Sequence, residues 1–283
     1  MLISLSILII IIFTCDRIRS FIVHRYNDLE DQQCLIKNVL LDVIGAIEMC
    51  SVSLELGVIF KHYGFWSFAS LLFTNIFYQC LRWPNLHPPC PYFHIVNYIS
   101  GKSTETALNV IIRCVVLVLS GLTAYHFIMT SIWTLELSET HVGRNKETST
   151  EQCSVPGGEK KVLCLFIVYE FMGTFLLDII INTFVVDNHF VQKRSPIVSA
   201  ALISGMVVFA VSSAMDVSGG MFNPMLATVL VGGCDGLTTL EHIAIYWVSA
   251  TMGAILASIV YPKIKQCVNL SGLKSPPPKK KKQ

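Results

Sequence analysis

The stretch Ser218-Gly219-Gly220-Met221-Phe222-Asn223-Pro224-Met225-Leu226-Ala227-Thr228-Val229-Leu230-Val231 constrains this chain more than any other. Asn223 is a preferred N-cap. Pro224 suits the first helical position, where its fixed φ is pre-organised and its missing N–H is not needed. The helix they open is apolar, and Gly232-Gly233 ends it after about nine residues, roughly 13 Å. A bilayer core takes about 20 helical residues, so this helix reaches halfway and stops. Its first N–H groups and positive dipole end then lie near the midplane. Irregular backbone is tolerated at that depth only where it is buried in protein or lines a wet cavity. Asn223 would hold an amide donor pair at the mouth of the helix, a site that stabilises oxygen lone pairs and repels cations. From this stretch alone, an N-capped helix in an outer loop stays open as the alternative.

Composition supplies the setting. The chain is 53% hydrophobic and only 14% charged, which points to a polytopic membrane protein and away from a soluble core. Six apolar segments, at roughly 37–60, 65–83, 105–135, 162–186, 197–214 and 241–261, approach or exceed the length of a span. Ahead of them, residues 1–36 hold an aliphatic run, Leu2–Thr14, followed by Asp16, Arg17 and Arg19, and then a polar linker. No positive region precedes the run and no small-residue cleavage site follows it, so it reads as an N-terminal anchor or a membrane-surface helix and not as a signal peptide. Arg25 and Lys37, Arg82 and Lys102, Lys193-Arg194 and the run Lys279–Lys282 fall on alternating connections. This bias places the C-terminus in the cytosol. The chain divides into that N-terminal segment, a first half at 37–135, an outer loop at 136–161, a second half at 162–262 and a basic tail at 263–283.

Catalytic and cofactor chemistry find no foothold. The ten cysteines sit mostly in apolar runs without metal-ligand spacing and read as small hydrophobes. There is no His/Glu metal motif, phosphate loop or nucleophile elbow, and the basic residues form loop ends and a tail, not a nucleic-acid stripe. No metal, cofactor or nucleic-acid partner is expected, and the chain is not read as an enzyme.

The halves echo each other. Asp42-Val43-Ile44-Gly45-Ala46 opens the first span as Glu170-Phe171-Met172-Gly173-Thr174 opens the fourth, with an acid four residues before Ala46 or Thr174 and a glycine just ahead of each. Three spans per half invert the second copy, and inverted repeats with broken helices are a transport architecture. Glu48, also within the first span, calls for a polar partner.

Gly-Gly-Met-Phe-Asn-Pro-Met resembles the second Asn-Pro-Ala box of the aquaporin (major intrinsic protein) family, with Met225 in the alanine position. Cys234, nine residues after Met225, is similar to the cysteine of the unorthodox superaquaporin (aquaporin-11/-12-like) branch. The resemblance implies an all-α membrane protein: an aquaporin-like bundle of six transmembrane helices plus two re-entrant half-helices, arranged as an inverted repeat. It implies a passive channel for water and small neutral solutes such as glycerol or hydrogen peroxide, in contact with membrane lipid. A homotetramer in the endoplasmic reticulum or plasma membrane goes with it. Asn223, Pro224 and Met225 would form the second pore box, and Pro88, Pro89 and Cys90 a degenerate first box that lacks its asparagine. Phe68, Val211 and Leu226 would make an apolar constriction. Glu170 would hold exposed loop carbonyls of the pore-lining segment, with Asp42 as its counterpart in the first half. Cys234 is open between a packing residue, a thiol sensor and a disulfide partner. His94 is open between the pore and the surface, and Arg113 reads as snorkelling to the cytosolic interface. Two other functions remain open at this point: an ion-coupled secondary transporter, and a non-conducting membrane scaffold with an occluded pore.

Overall fold

The computed structural model describes residues 1–26, 35–82, 89–143, 162–183 and 196–270. Their helices are α1 (Leu2–Arg25), α2 (Leu35–Tyr63), α3 (Phe65–Arg82), α4 (Pro91–Ile99) and α5 (Ala107–Phe127), followed by α6 (Leu163–Ile181), α7 (Pro196–Ala214) and α8 (Pro224–Val231). Then α9 (Thr239–His242) continues through a π-helical stretch, Ile243–Ser249, into α10 (Ala250–Leu270). Among the described residues, four segments are long and apolar enough to cross a membrane by length and composition: Leu35–Phe60, Ala107–Leu135, Leu163–Ile181 and Thr239–Gln266. The chain is an all-α membrane protein of aquaporin-like design.

The inverted repeat is visible in the packing. The first span of each half lies along its third, α2 on α5 and α6 on α10, while α3 faces α7 across the middle. Each short helix leans on the third span of the opposite half, α4 on α10 and α8 on α5. Glycines permit these approaches. A Cβ on Gly121 of α5 would press on Val229 of α8 and Cys50 of α2. A Cβ on Gly253 of α10 would overlap the Phe171 carbonyl oxygen, which is backbone and cannot swing aside. Gly253→Ala is therefore expected to separate α6 from α10. Overpacking of this kind costs about 1–3 kcal/mol, which outweighs the roughly 1 kcal/mol that alanine gains in helix propensity. A melting curve of the purified variant in detergent checks the sign.

The N-terminal run forms a full helix. At about 36 Å for 24 residues, α1 has the length of a span. It lies antiparallel to α2, because the Met1 amino group donates to Tyr63 Oη (2.6 Å) while Arg19 Nη2 donates to Glu48 Oε2 (2.7 Å). One stripe is buried: Ser4, Leu8, Ile12, Cys15 and Ile22, at steps of four, four, three and seven residues that keep to one helix face. Leu8 and Ile12 join Val52, Leu56, Ile59 and Leu71 in one apolar cluster. Arg19 is the partner that Glu48 requires.

Two boundaries differ from the sequence reading, and a third falls outside the described residues. Helix α2 starts at Leu35, two residues before the expected first half. The last helix passes Pro262 and ends at Leu270, as membrane helices tolerate a proline where neighbouring groups take up the freed backbone carbonyl. Fewer residues of the basic end are left as tail. The fourth segment is helical to Ile181, and its expected end near 186 lies outside the described residues.

Candidate functional site

The two short helices begin with nearly the same backbone. Asn223 caps α8 in extended conformation (φ −148°, ψ 114°), with Pro224 first in the helix. Cys90 caps α4 at φ −145° and ψ 128°, with Pro91 first in the helix. The structural counterpart of Asn223-Pro224-Met225 is therefore Cys90-Pro91-Tyr92, two residues after the expected box at Pro88, Pro89 and Cys90. The reason is local: Pro91 pushes Cys90 out of the helical region, so the helix cannot start earlier. Pro88 lies outside the described residues. The asparagine side-chain oxygen accepts from Met225 N–H (3.0 Å), whereas Cys90 makes no side-chain cap.

The tips meet. Asn223 Nδ2 donates to the Pro89 carbonyl (3.0 Å) and contacts the Met49 thioether of α2 (3.4 Å). Asn223 is 5% exposed, and Pro224 and Met225 are buried. The amide donors that the sequence places in a cavity are thus taken up by protein. Pro89 in turn sits against Gly45 of α2, where an added Cβ would come within 3.2 Å of its ring. In the second half, a Cβ on Gly173 of α6 would run into the Phe222 ring. The glycines paired in the sequence therefore do the same work: each lets a half-helix lead lie against the first span of its own half.

Glu170 organises the lead into α8. Its Oε1 accepts from Ser218 Oγ (2.6 Å) and Met221 N–H (3.1 Å), and its Oε2 accepts from Phe222 N–H (2.7 Å). The groups it holds are N–H and O–H donors, not the carbonyls expected from the resemblance, because a carboxylate offers only lone pairs. Its hold supports Phe222 at φ 47°, a left-handed conformation that costs a non-glycine residue about 1–2 kcal/mol. Gly220, at φ 59°, lies so close to α7 that a Cβ would be 2.8 Å from the Val211 carbonyl oxygen. Tyr246 Oη donates to the Ser218 carbonyl (2.7 Å), and Trp247 Nε1 donates to Thr228 Oγ1 (3.0 Å), which fixes α8 against the last span.

Asp42 does different work from Glu170. Arg113 of α5 grips it with two bonds, Nε to Oδ2 (2.6 Å) and Nη2 to Oδ1 (3.0 Å), while its Nη1 donates to Glu105 Oε1 (2.7 Å). His94 of α4 lies 3.5 Å from Asp42 Oδ2 and is 8% exposed. Arg113 therefore does not snorkel: two carboxylates within reach outcompete the interface. Asp42 ties the first half-helix to α2 and α5. His94 is neither a surface residue nor a free pore group.

The remaining expected residues do not converge. Phe68 is 38% exposed, with its ring edge-on to Phe60. Leu71 and Phe77 are the α3 residues that share a cluster with Val211. Leu226 packs against a different cluster, with Ala46, Cys50, Leu117 and Met225. Cys234 is disulfide-bonded, which resolves the three roles left open for it. Farther out, Glu55 is fully buried and accepts from Trp133 Nε1 (3.3 Å), with His141 Nε2 at 2.8 Å. Among the described residues, no group of three His, Cys, Asp or Glu side chains is placed to hold a metal ion.

Sequence reasoning missed the register of the first box, although the Cys90-Pro91 step carries the signal. It also missed Met49, an apolar position in an apolar span that nothing local marks as facing Asn223.

Residues 160–279 match the family model described as Major intrinsic protein. Aquaporin-11 of Milnesium tardigradum is 25% identical over 232 residues, 81% of this chain and 76% of its own. Putative aquaporin-10 of Caenorhabditis elegans is 23% identical over 226 residues, 78% of this chain and 74% of its own. With the repeat, the half-helix pair and the Glu170-held lead, these matches support an aquaporin (major intrinsic protein) family member at low sequence identity. It is an integral membrane protein of channel type, for water or small solutes.

Proposed function

We propose that the chain is a passive, unorthodox channel whose main permeant is water, with small neutral solutes such as hydrogen peroxide or glycerol following. The observation that carries this is the abutment of Asn223 and the Pro89 carbonyl at the tips of two opposed short helices. Helix N-termini oppose cations, and the apolar residues around Val211 offer a permeating ion no replacement for its hydration shell. An ion-coupled carrier needs midplane acids available to its ion. Here Asp42 is committed to Arg113, and Glu170 to the lead into α8.

A non-conducting scaffold is the second reading, favoured by one observation: both Asn223 donors are engaged within the protein. Stopped-flow swelling of proteoliposomes separates these readings. The channel gives osmotic flux with low activation energy and no need of an ion gradient; a carrier requires the gradient, and a scaffold shows neither. Assembly as a homotetramer, residence in the endoplasmic reticulum or plasma membrane, and a cytosolic C-terminus complete the proposal.

A further inference from the structure

We propose that the tip junction is an asymmetric filter in which Met49 sets how readily Asn223 is released to the permeant. This rests on the channel reading and specifies its selectivity. Among the described residues, the first half brings no side-chain amide to Asn223 but two acceptors, the Pro89 carbonyl and the Met49 thioether. The second half brings both donors, on Asn223 Nδ2. At rest the junction satisfies itself. A permeant must insert between the halves, accepting from Asn223 while donating to Pro89 O. Water and hydrogen peroxide do both; a solute with acceptors alone replaces only one side.

The two resting contacts differ in strength. The contact to the Pro89 carbonyl at 3.0 Å is an ordinary N–H···O hydrogen bond, whereas a thioether is a weak acceptor. The Met49 contact yields first, so its chemistry sets the ease of opening. Met49 is only partly buried, unlike its neighbours Glu48 and Cys50.

Two substitutions of similar volume give opposite results on this account. Met49→Leu removes the thioether acceptor and leaves one Asn223 donor to recruit water, so water permeability rises roughly two- to fivefold. Met49→Gln supplies a strong carbonyl acceptor that holds Asn223, so permeability falls by about the same factor. Both are measured by stopped-flow in proteoliposomes at matched protein density, with a melting curve for each variant to establish folding. If the wild type conducts and both folded variants match it, or shift in the same direction, the filter is overturned while the channel reading stands. If the wild type passes no water, the channel reading fails, and the filter survives only if Met49→Leu opens a path. A thiol probe reads the junction independently of flux. In Met49→Cys, position 49 should react with a small water-soluble methanethiosulfonate, located by peptide mass spectrometry. Protection of position 49 in the native protein, with labelling of the same position after denaturation, overturns the proposal.

Discussion

Glu170→Ala is expected to abolish flux and to lower stability by about 3–5 kcal/mol. The carboxylate takes up the Ser218 hydroxyl and the N–H groups of Met221 and Phe222, and it is fully buried in doing so. Removing it leaves two backbone donors and one hydroxyl without partners in an apolar interior, at about 1–3 kcal/mol for each unsatisfied group. Phe222 also loses the contact that supports its left-handed backbone. The lead should collapse, withdrawing Asn223 from Pro89. Glu170→Gln keeps one acceptor but turns an N–H2 toward other N–H groups, so it should fall between wild type and alanine. Melting curves in detergent and proteoliposome swelling test both. A Glu170→Ala protein that melts and conducts like wild type would remove Glu170 from the account.

Arg113→Ala should act on the other half with similar size. The guanidinium serves two carboxylates, and the side chains of Arg113, Asp42 and Glu105 are 14%, 11% and 12% exposed. Deleting the cation leaves two acids close together, with the His94 imidazole 3.5 Å from Asp42 Oδ2 as the neighbour that remains. Breaking a buried pair from one side costs about 3–5 kcal/mol. Arg113→Lys should recover only part of it, because a single ammonium cannot reproduce the two-pronged grip on Asp42. The double variant Arg113→Met, Asp42→Leu should recover more, since it removes both the cation and the acid that grips it. That order of melting temperatures, double variant above Lys above Ala, is the expected outcome. Loss of flux in Arg113→Ala would follow from displacement of α4 through His94.

The second half was the more legible because its signals are short-range. Asn223-Pro224 fixes a helix start, Gly232-Gly233 fixes its end, and Glu170 four residues before Thr174 marks an acid that needs donors. Each of these is a local backbone requirement that sequence records directly. The repeat was legible too, in Gly45 and Gly173, where a side chain would meet Pro89 or Phe222. What escaped was long-range. Arg113 is 71 positions from Asp42, and Arg19 is 29 from Glu48. Nothing in a hydropathy pattern tells a paired intramembrane charge from one that reaches for the interface. Phe68 shows the same limit: one residue shifts a helix face by about 100°, and counting across an unmarked span turned it outward while Leu71 faces in.

On the proposed function, two stub helices from opposite halves touch end to end inside the hydrocarbon layer. A density map of the intact protein in lipid nanodiscs tests this most directly. It should place the Asn223 amide about 3 Å from the Pro89 carbonyl, with both residues well within the slab of acyl chains. Density that puts Pro91–Ile99 or Pro224–Val231 on the bilayer surface, or holds the two tips apart by a helix width, would contradict it.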